Sequence, residues 1–575
     1  MNHSDVIKRK NRKFLKKTYY LKLIFYPLIA FIGNSEIILF FEKPIDWIIR
    51  LFGVNKSVHT FIKHRDFAKW FKGEFTKNTG DKILLIPTQV GANSNFILLN
   101  LLFSKYFQQK GFKPILFVCN SSVEICMKET YFKNRSKNPN FCRECFHGYN
   151  KIRKSTGIEI LMMNDFFDDY LKVYWIEQIA IIEKIESLTD CKNFEYSGFG
   201  IGVVAEKNVL RYLLQGKFYN VPYEIDIYKK ILKASVKHFL IIKKLFETRL
   251  INNSILANGT LAFESIYREF CHRNNVNYIT YETFTGSNSV IYKKNDEVMN
   301  LSWPNEWSVF KKNTILNKQI IDAVEKFFSS LQSGNGIYTK WNAEHETDKL
   351  KGVKRYACLF TNLNIDTAVL SKHNIFIDME DWIISVIDFW ERSVNGLTLV
   401  IRVHPAEVKH RTATAEFMGD RIKKHIKTND IILLDSTDKV NSYVLLKGME
   451  FSMVYSSTIG LETAFLGKPC LVAGMPYYRN HSFILSPSSN EEYFQTLGKL
   501  ISGQFVFKID RNELFKLVYF TFFERTKMLK GIKLSTPNGE CNSIYSAPEI
   551  MINENRKFFE DFYNELINKD TFEMQ

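Results

Sequence analysis

Several protein classes are excluded by what the sequence does not contain. There is no low-complexity tract, no repeat of fixed period and no coiled-coil heptad, which removes disordered, solenoid and fibrous architectures. The nine cysteines follow no framework spacing and an odd number cannot all pair, so a disulfide-stapled secreted scaffold is excluded and a reducing cytoplasm is expected. Cys142 and Cys145 form the one tight pair; with Cys119 and Cys126 upstream they leave a zinc site open beside the plainer reading of buried or loop thiols. No recognition helix, finger or aromatic-basic RNA motif occurs, so nucleic acid is not an expected partner.

A membrane span is missing too. It needs about 20 uninterrupted apolar residues. Residues 21–41 are strongly apolar but carry Lys22, Asn34, Ser35 and Glu36 and are broken by Pro27 and Gly33. They follow a basic cluster of Lys8, Arg9, Lys10, Arg12, Lys13, Lys16 and Lys17. Residues 1–75 are therefore expected to lie on an anionic membrane surface, with a helix packed on the protein body as the alternative. A secretory signal fits the basic start but finds no small-residue cleavage site after the apolar run.

What remains is a large globular protein. A chain of 575 residues with 45% hydrophobic and 24% charged side chains exceeds the size of one core, so two main domains are expected. The net charge of +17 attracts phosphate, whether in nucleotides, nucleic acid or lipid headgroups, and does not choose among them. From Asp81 the pattern becomes periodic. Strand, helix and strand are predicted over 82–87, 96–109 and 114–118, and again over 254–257, 261–272 and 277–281, with a mainly helical insertion over 165–250. Residues 310–350 are polar and read as the crossing to a second domain. There, strands are predicted at 356–361, 397–403, 431–434, 451–455 and 470–474, with helices including 382–390 and 459–466. The alternation specifies two doubly wound, Rossmann-like α/β lobes facing a cleft, over 76–345 and 346–510, with a helical tail over 511–575.

Ligands of such sheets bind at the carboxyl ends of the strands. The run Ile401-Arg402-Val403-His404-Pro405-Ala406-Glu407 leaves a strand directly into His404, and Pro405, lacking an N–H, stops the ladder. His404 can bind a ribose or phosphate oxygen, or be a satisfied strand-end histidine. Arg402 is read either as a phosphate partner or as the structural partner of Glu407. Ser456, Ser457 and Thr458 supply three hydroxyls where a helix begins, a phosphate site or an ordinary cap. Glu462, one turn in, is a ligand for sugar hydroxyls or an exposed surface carboxylate. Across the cleft, Glu282 ends a first-lobe strand and is the candidate general base. Asn93, Ser94, Asn258 and Thr260 lie at first-lobe turns, as acceptor contacts or as turn and cap residues. Asp168 and Asp169 read as a solvated acidic turn, so no required divalent ion and no required cofactor is expected.

The residues 399–407, 454–462 and Gly467-Lys468-Pro469 resemble the bacterial capsule polysaccharide biosynthesis glycosyltransferases of the GT-B fold, related in motif style to Kdo transferases and bacterial sialyltransferases. Asn258-Gly259, Tyr281-Glu282 and Asn362-Leu363-Asn364-Ile365-Asp366 are similar as well. The resemblance spans roughly residues 80–490 in pattern. It implies a sugar nucleotide as co-substrate, with His404, Ser456 and Ser457 holding the CMP part of a donor such as CMP-Kdo, and a surface polysaccharide or lipid-linked glycan as acceptor. The cysteine usage and the basic, apolar start together give the expected location, the cytoplasm, peripheral on the inner face of the membrane. A nucleotide-sugar epimerase of the same architecture and a non-catalytic polysaccharide assembly factor are the rival readings.

Overall fold

The computed structural model describes residues 70–568 apart from 77–79, 89–93, 121, 123–124, 127–148, 151, 285–287, 333–347, 367–368, 371, 394–395, 409–416, 535–542 and 545–546. Most of the basic segment, Asn93, Cys142 and Cys145 lie outside the described residues, and of Ser94 only the backbone is described.

The first lobe begins with β1 (Lys82–Thr88), α1 (Ser94–Gln109), β2 (Phe112–Val118) and β3 (Glu159–Met162). The helical insertion follows as α2 (Asp169–Glu183), α3 (Leu188–Lys192), α4 (Ile201–Leu213) and α5 (Pro222–Thr248). The chain returns to the sheet through β4 (Asn253–Ala257), α6 (Ala262–Arg273), β5 (Asn277–Thr283) and β6 (Ser289–Lys294). Strands β3-β2-β1-β4-β5 are parallel neighbours, and β6 closes the edge antiparallel to β5. Alternate residues of β1 bury opposite faces. Leu84 and Ile86 pack with α1, whereas Leu85 packs with the insertion helices. Both faces are covered, which is why the strands read as continuous apolar runs. Phe71 and Phe75 are buried in the same core, so the lobe reaches back to residue 71.

The segment expected as a polar crossing contains the end of α7 (Pro304–Asn313) and the whole of α8 (Lys318–Gln332). Its apolar residues are few but helically spaced: Ile320, Val324 and Phe328 form one buried stripe of α8. The second lobe comprises β7 (Tyr356–Phe360), α9 (Met379–Glu391), β8 (Thr398–Arg402), α10 (Met418–Lys423), β9 (Ile431–Leu434), α11 (Ser442–Gly448), β10 (Ser452–Val454), α12 (Ile459–Phe465), β11 (Cys470–Val472) and α13 (Asn490–Ile501). Its five strands are all parallel in the order β9-β8-β7-β10-β11. Each lobe therefore has the same winding: two strands added on one side of the first, then a crossing to the other side.

The tail is more than helical. After α14 (Arg511–Tyr519), β12 (Thr526–Met528) pairs antiparallel with β6 and becomes the outer strand of the first sheet. Following a two-stranded ribbon, β13 (Ile532–Lys533) with β14 (Ser543–Ile544), α15 (Pro548–Glu554) and α16 (Arg556–Ile567) pack on α1. Phe562 stacks on Phe103 at 4.4 Å and lies 4.9 Å from Tyr292.

Candidate functional site

In the second lobe the winding reverses between β7 and β10, which opens a crevice at their carboxyl ends. Three turns are tied together there. The His404 N–H donates to Thr361 Oγ1 at 2.9 Å, joining the turns after β8 and β7. The Ser456 N–H donates to Asn362 Oδ1 at 3.1 Å, joining those after β10 and β7. Pro405 starts a short 3-10 turn, in which the Ala406 N–H donates to His404 Nδ1 at 3.1 Å. Because Nδ1 accepts, the neutral imidazole carries its proton on Nε2.

The hydroxyl run divides its roles. Ser456 is buried and its Oγ has no partner among the described residues. Ser457 Oγ accepts the Ile459 N–H at 3.3 Å, a local cap, and its carbonyl accepts from Tyr478. Thr458 is exposed and makes no side-chain cap bond. Glu462 is buried rather than at the surface; burial pushes its carboxyl up to about 7, opposed by a hydrogen bond with Tyr443. Its Oε2 has no partner among the described residues, and neither does Asn364 Oδ1 beyond β7.

Arg402 requires a correction. The expected pair with Glu407 is not made. Strand alternation turns Arg402 toward the loop after β9, where its Nη1 and Nη2 donate to the carbonyls of Asp435 at 2.6 Å and Val440 at 3.3 Å. Burial lowers the guanidinium to about 10. Glu407, beyond the Pro405 turn, faces α10 instead. Its Oε2 accepts the Met418 N–H at 3.3 Å, Oε1 has no partner among the described residues, and burial pushes the carboxyl up to about 8.

The first lobe reverses its winding between β1 and β4, so the turn after β4 holds the equivalent position. Asn258 adopts φ 64° and Gly259 φ 90°. A Cβ on Gly259 would come within 2.6 Å of Thr280 Cγ2, so this turn requires glycine for space as well as for conformation. Asn258 Nδ2 donates to Glu282 Oε2 at 2.8 Å, and the Thr283 N–H and hydroxyl donate to Oε1 at 2.9 and 3.2 Å. Burial raises the Glu282 carboxyl, and these donors and the nearby Arg211 oppose it. Thr260 is buried with Oγ1 unpartnered among the described residues. Glu264, in the first turn of α6, was not singled out by sequence because a first-turn glutamate is an ordinary helix feature. Burial pushes it up to about 7 against the lowering charge of Arg268, and its Oε2 also has no described partner.

Two cavities adjoin this region. One of about 20 Å³, room for about one water, lies beneath Ala262 and Phe263 beside His238. A polar groove of about 450 Å³ runs along α6 between Lys207, Arg268 and Glu297. The lobes touch where Lys217, in the α4–α5 loop, meets Asp378 at 3.2 Å and Glu380 at 3.0 Å, and where Lys372 Nζ donates to Asn300 Oδ1 at 3.2 Å. The acidic turn at Asp168 is a helix cap: Oδ1 accepts the Leu171 N–H at 2.9 Å, and both Asp168 and Asp169 are exposed.

These features define a two-lobed α/β protein with a strand-end crevice in each lobe. No family model and no curated protein matches the chain. Among solved structures it is similar to the Thermosulfurimonas dismutans KpsC beta Kdo 2,7 transferase, at 14% identity over 55% of this chain and 88% of that one, TM-score 0.31. It is also similar to S. aureus MnaA in a co-structure with UDP, at 12% identity over 86% and 100% of the two chains, TM-score 0.25. A third likeness is to UDP-GlcNAc 2-epimerase from Neisseria meningitidis bound to UDP-GlcNAc, at 10% identity over 83% and 100%, TM-score 0.22. Similarities this distant carry no argument about activity, and the functional reading rests on the geometry.

Proposed function

We propose that the protein is a metal-independent glycosyltransferase, binding a nucleotide-sugar donor at the second-lobe crevice and an acceptor hydroxyl at the first. The observation that carries this reading is the tying together of three turns at the carboxyl ends of β7, β8 and β10. Thr361 and Asn362 fix the His404 and Ser456 turns there, and Ser456 Oγ has no partner among the described residues. In the transfer, Glu282 takes the proton of the acceptor hydroxyl, the oxygen bonds to the anomeric carbon, and the bond from that carbon to the donor phosphate breaks. His404 Nε2–H and the hydroxyls of Ser456 and Ser457 meet the charge left on the phosphate. The resemblance of the two second-lobe motifs favours a CMP-sugar such as CMP-Kdo. The acceptor is then a growing capsular or other surface polysaccharide, or a lipid-linked glycan, reached from the cytoplasmic face of the membrane.

A thermal-shift panel of CMP, UDP, GDP and their sugars on wild type and His404→Ala tests this. Ligand stabilisation grows with the ratio of concentration to Kd. A CMP-selective shift that is lost in the variant is expected. No shift in wild type, or an equal one in the variant, refutes the donor site. Incubation with one nucleotide sugar and no acceptor separates the rival: an epimerase converts it, a transferase does not.

A further inference from the structure

The two lobes repeat a short sequence at the same place in their winding. After the fourth strand of the first lobe comes Thr260-Leu261-Ala262-Phe263-Glu264-Ser265, and after that of the second comes Thr458-Ile459-Gly460-Leu461-Glu462-Thr463. Each reads threonine, aliphatic, small, large apolar, glutamate, hydroxyl. In each the small and large apolar residues are buried and enter the core. In each the glutamate occupies the first turn of the helix and leaves Oε2 without a described partner. Equivalent residues at equivalent winding points imply two sites built on one plan.

The residues before the repeat make the two sites chemically different. The second lobe brings the Nε2–H of His404 and two serines. The first brings Asn258, whose amide draws Glu282 to the turn at 2.8 Å. The first-lobe turn thus holds two buried oxygens with no described partner, Glu264 Oε2 and Thr260 Oγ1, the latter on a residue only 3% exposed, and the Glu282 carboxyl beside them is already held by Asn258 and Thr283. A buried acceptor left unfilled carries its whole desolvation penalty. What satisfies such a set is a ligand that brings hydrogens. Phosphate does not, and two carboxyls repel it. A bare cation is disfavoured because Arg268 and Arg211 already act electrostatically on Glu264 and Glu282. Adjacent hydroxyls on a neutral sugar ring fit.

We infer that the Thr260–Glu264 turn is a second ligand site, taking an uncharged pyranose end through its hydroxyls, with Glu264 and Thr260 as binding residues and Glu282 beside them. Calling that sugar the acceptor rests on the glycosyl-transfer reading; the binding does not. The test is ligand-detected saturation-transfer NMR on the full chain, using the methyl glycosides of glucose, galactose and N-acetylglucosamine as probes. Inorganic phosphate and calcium serve as competitors. At least one glycoside is expected to bind wild type, unaffected by either competitor, with a signal at least fivefold weaker in both Glu264→Gln and Thr260→Val. Gln keeps the size of the neutral carboxyl and Val that of the hydroxyl residue, and the thermal melt of each confirms folding. No glycoside contact in wild type, equal contact in either folded variant, or displacement by calcium or inorganic phosphate overturns the inference. If glycosides bind as expected while no nucleotide shifts the melt, the donor reading falls and this site stands.

Discussion

Replacing Glu407 with glutamine isolates a proton that the fold holds against its ordinary chemistry. The carboxyl is fully buried, and its value rises from the ordinary 4.5 to about 8, chiefly through desolvation and further through the charges of Asp435 and Asp420. Between those two values the folded protein keeps the proton and the unfolded chain has lost it. The folded state then binds more protons, so stability falls as pH rises. Below about pH 4.5 the contribution is fully present, and above about 8 it is gone. Glutamine preserves the oxygen that accepts the Met418 N–H and has nothing to titrate. The stability gap between Glu407→Gln and wild type should therefore widen by about 1.4 kcal/mol per pH unit, or about 3 kcal/mol between pH 5.5 and 7.5. For a lobe of this size that is roughly 6–12 °C in Tm. Glu264 and Glu462, both raised to about 7, titrate in the same window but are common to both proteins and cancel in the comparison. Melting curves at pH 5.5, 6.5 and 7.5 give the answer. A gap that stays constant across the three refutes the buried neutral carboxyl.

Two further outcomes follow from the geometry. Glu282→Gln keeps a side chain that can still accept from Asn258 but cannot take a proton, so turnover of the nucleotide sugar should fall by about 10²–10⁴-fold while the nucleotide-induced shift is retained; near-normal turnover removes Glu282 as the base. Phe562→Ala opens a hole between α16, Phe103 and Tyr292 and should cost about 3–5 kcal/mol, read as a lowered first-lobe transition by calorimetry. A loss under about 1 kcal/mol would mean that α16 contributes little to the lobe.

The strand-end turns were legible because the strands run straight into them: apolar residues 397–403 leave no ambiguity about where His404 stands. Asn258 and Glu282 were visible for the same reason, although their hydrogen bond, joining the ends of two strands, was not. The partners of Arg402 lay beyond reach, since they are backbone carbonyls 33 and 38 residues further on, and a carbonyl carries no sequence signature. Glu407 looked like the natural counter-ion because it is close in sequence, yet beyond the turn at Pro405 its carboxyl takes the Met418 N–H instead. The helix α8 was missed because its polar residues outnumber the stripe that matters. Glu264 was hidden by an innocent explanation, and only its burial distinguishes it from any other first-turn acid.

The return of β12 to the edge of β6 has a bearing on how the protein is made. Strand β6 ends at Lys294 and its outer neighbour begins at Thr526, so about 230 residues must leave the ribosome before the first sheet closes. At about 5–20 residues per second that is roughly 10–50 s during which a hydrogen-bonding edge stands open. The second lobe, whose last strand ends at Val472, is the earlier of the two to possess all its strands. The half of the protein translated first is thus the half finished last, and a chain stopped at residue 510 would be left with an unprotected edge and a bare aromatic face on α1.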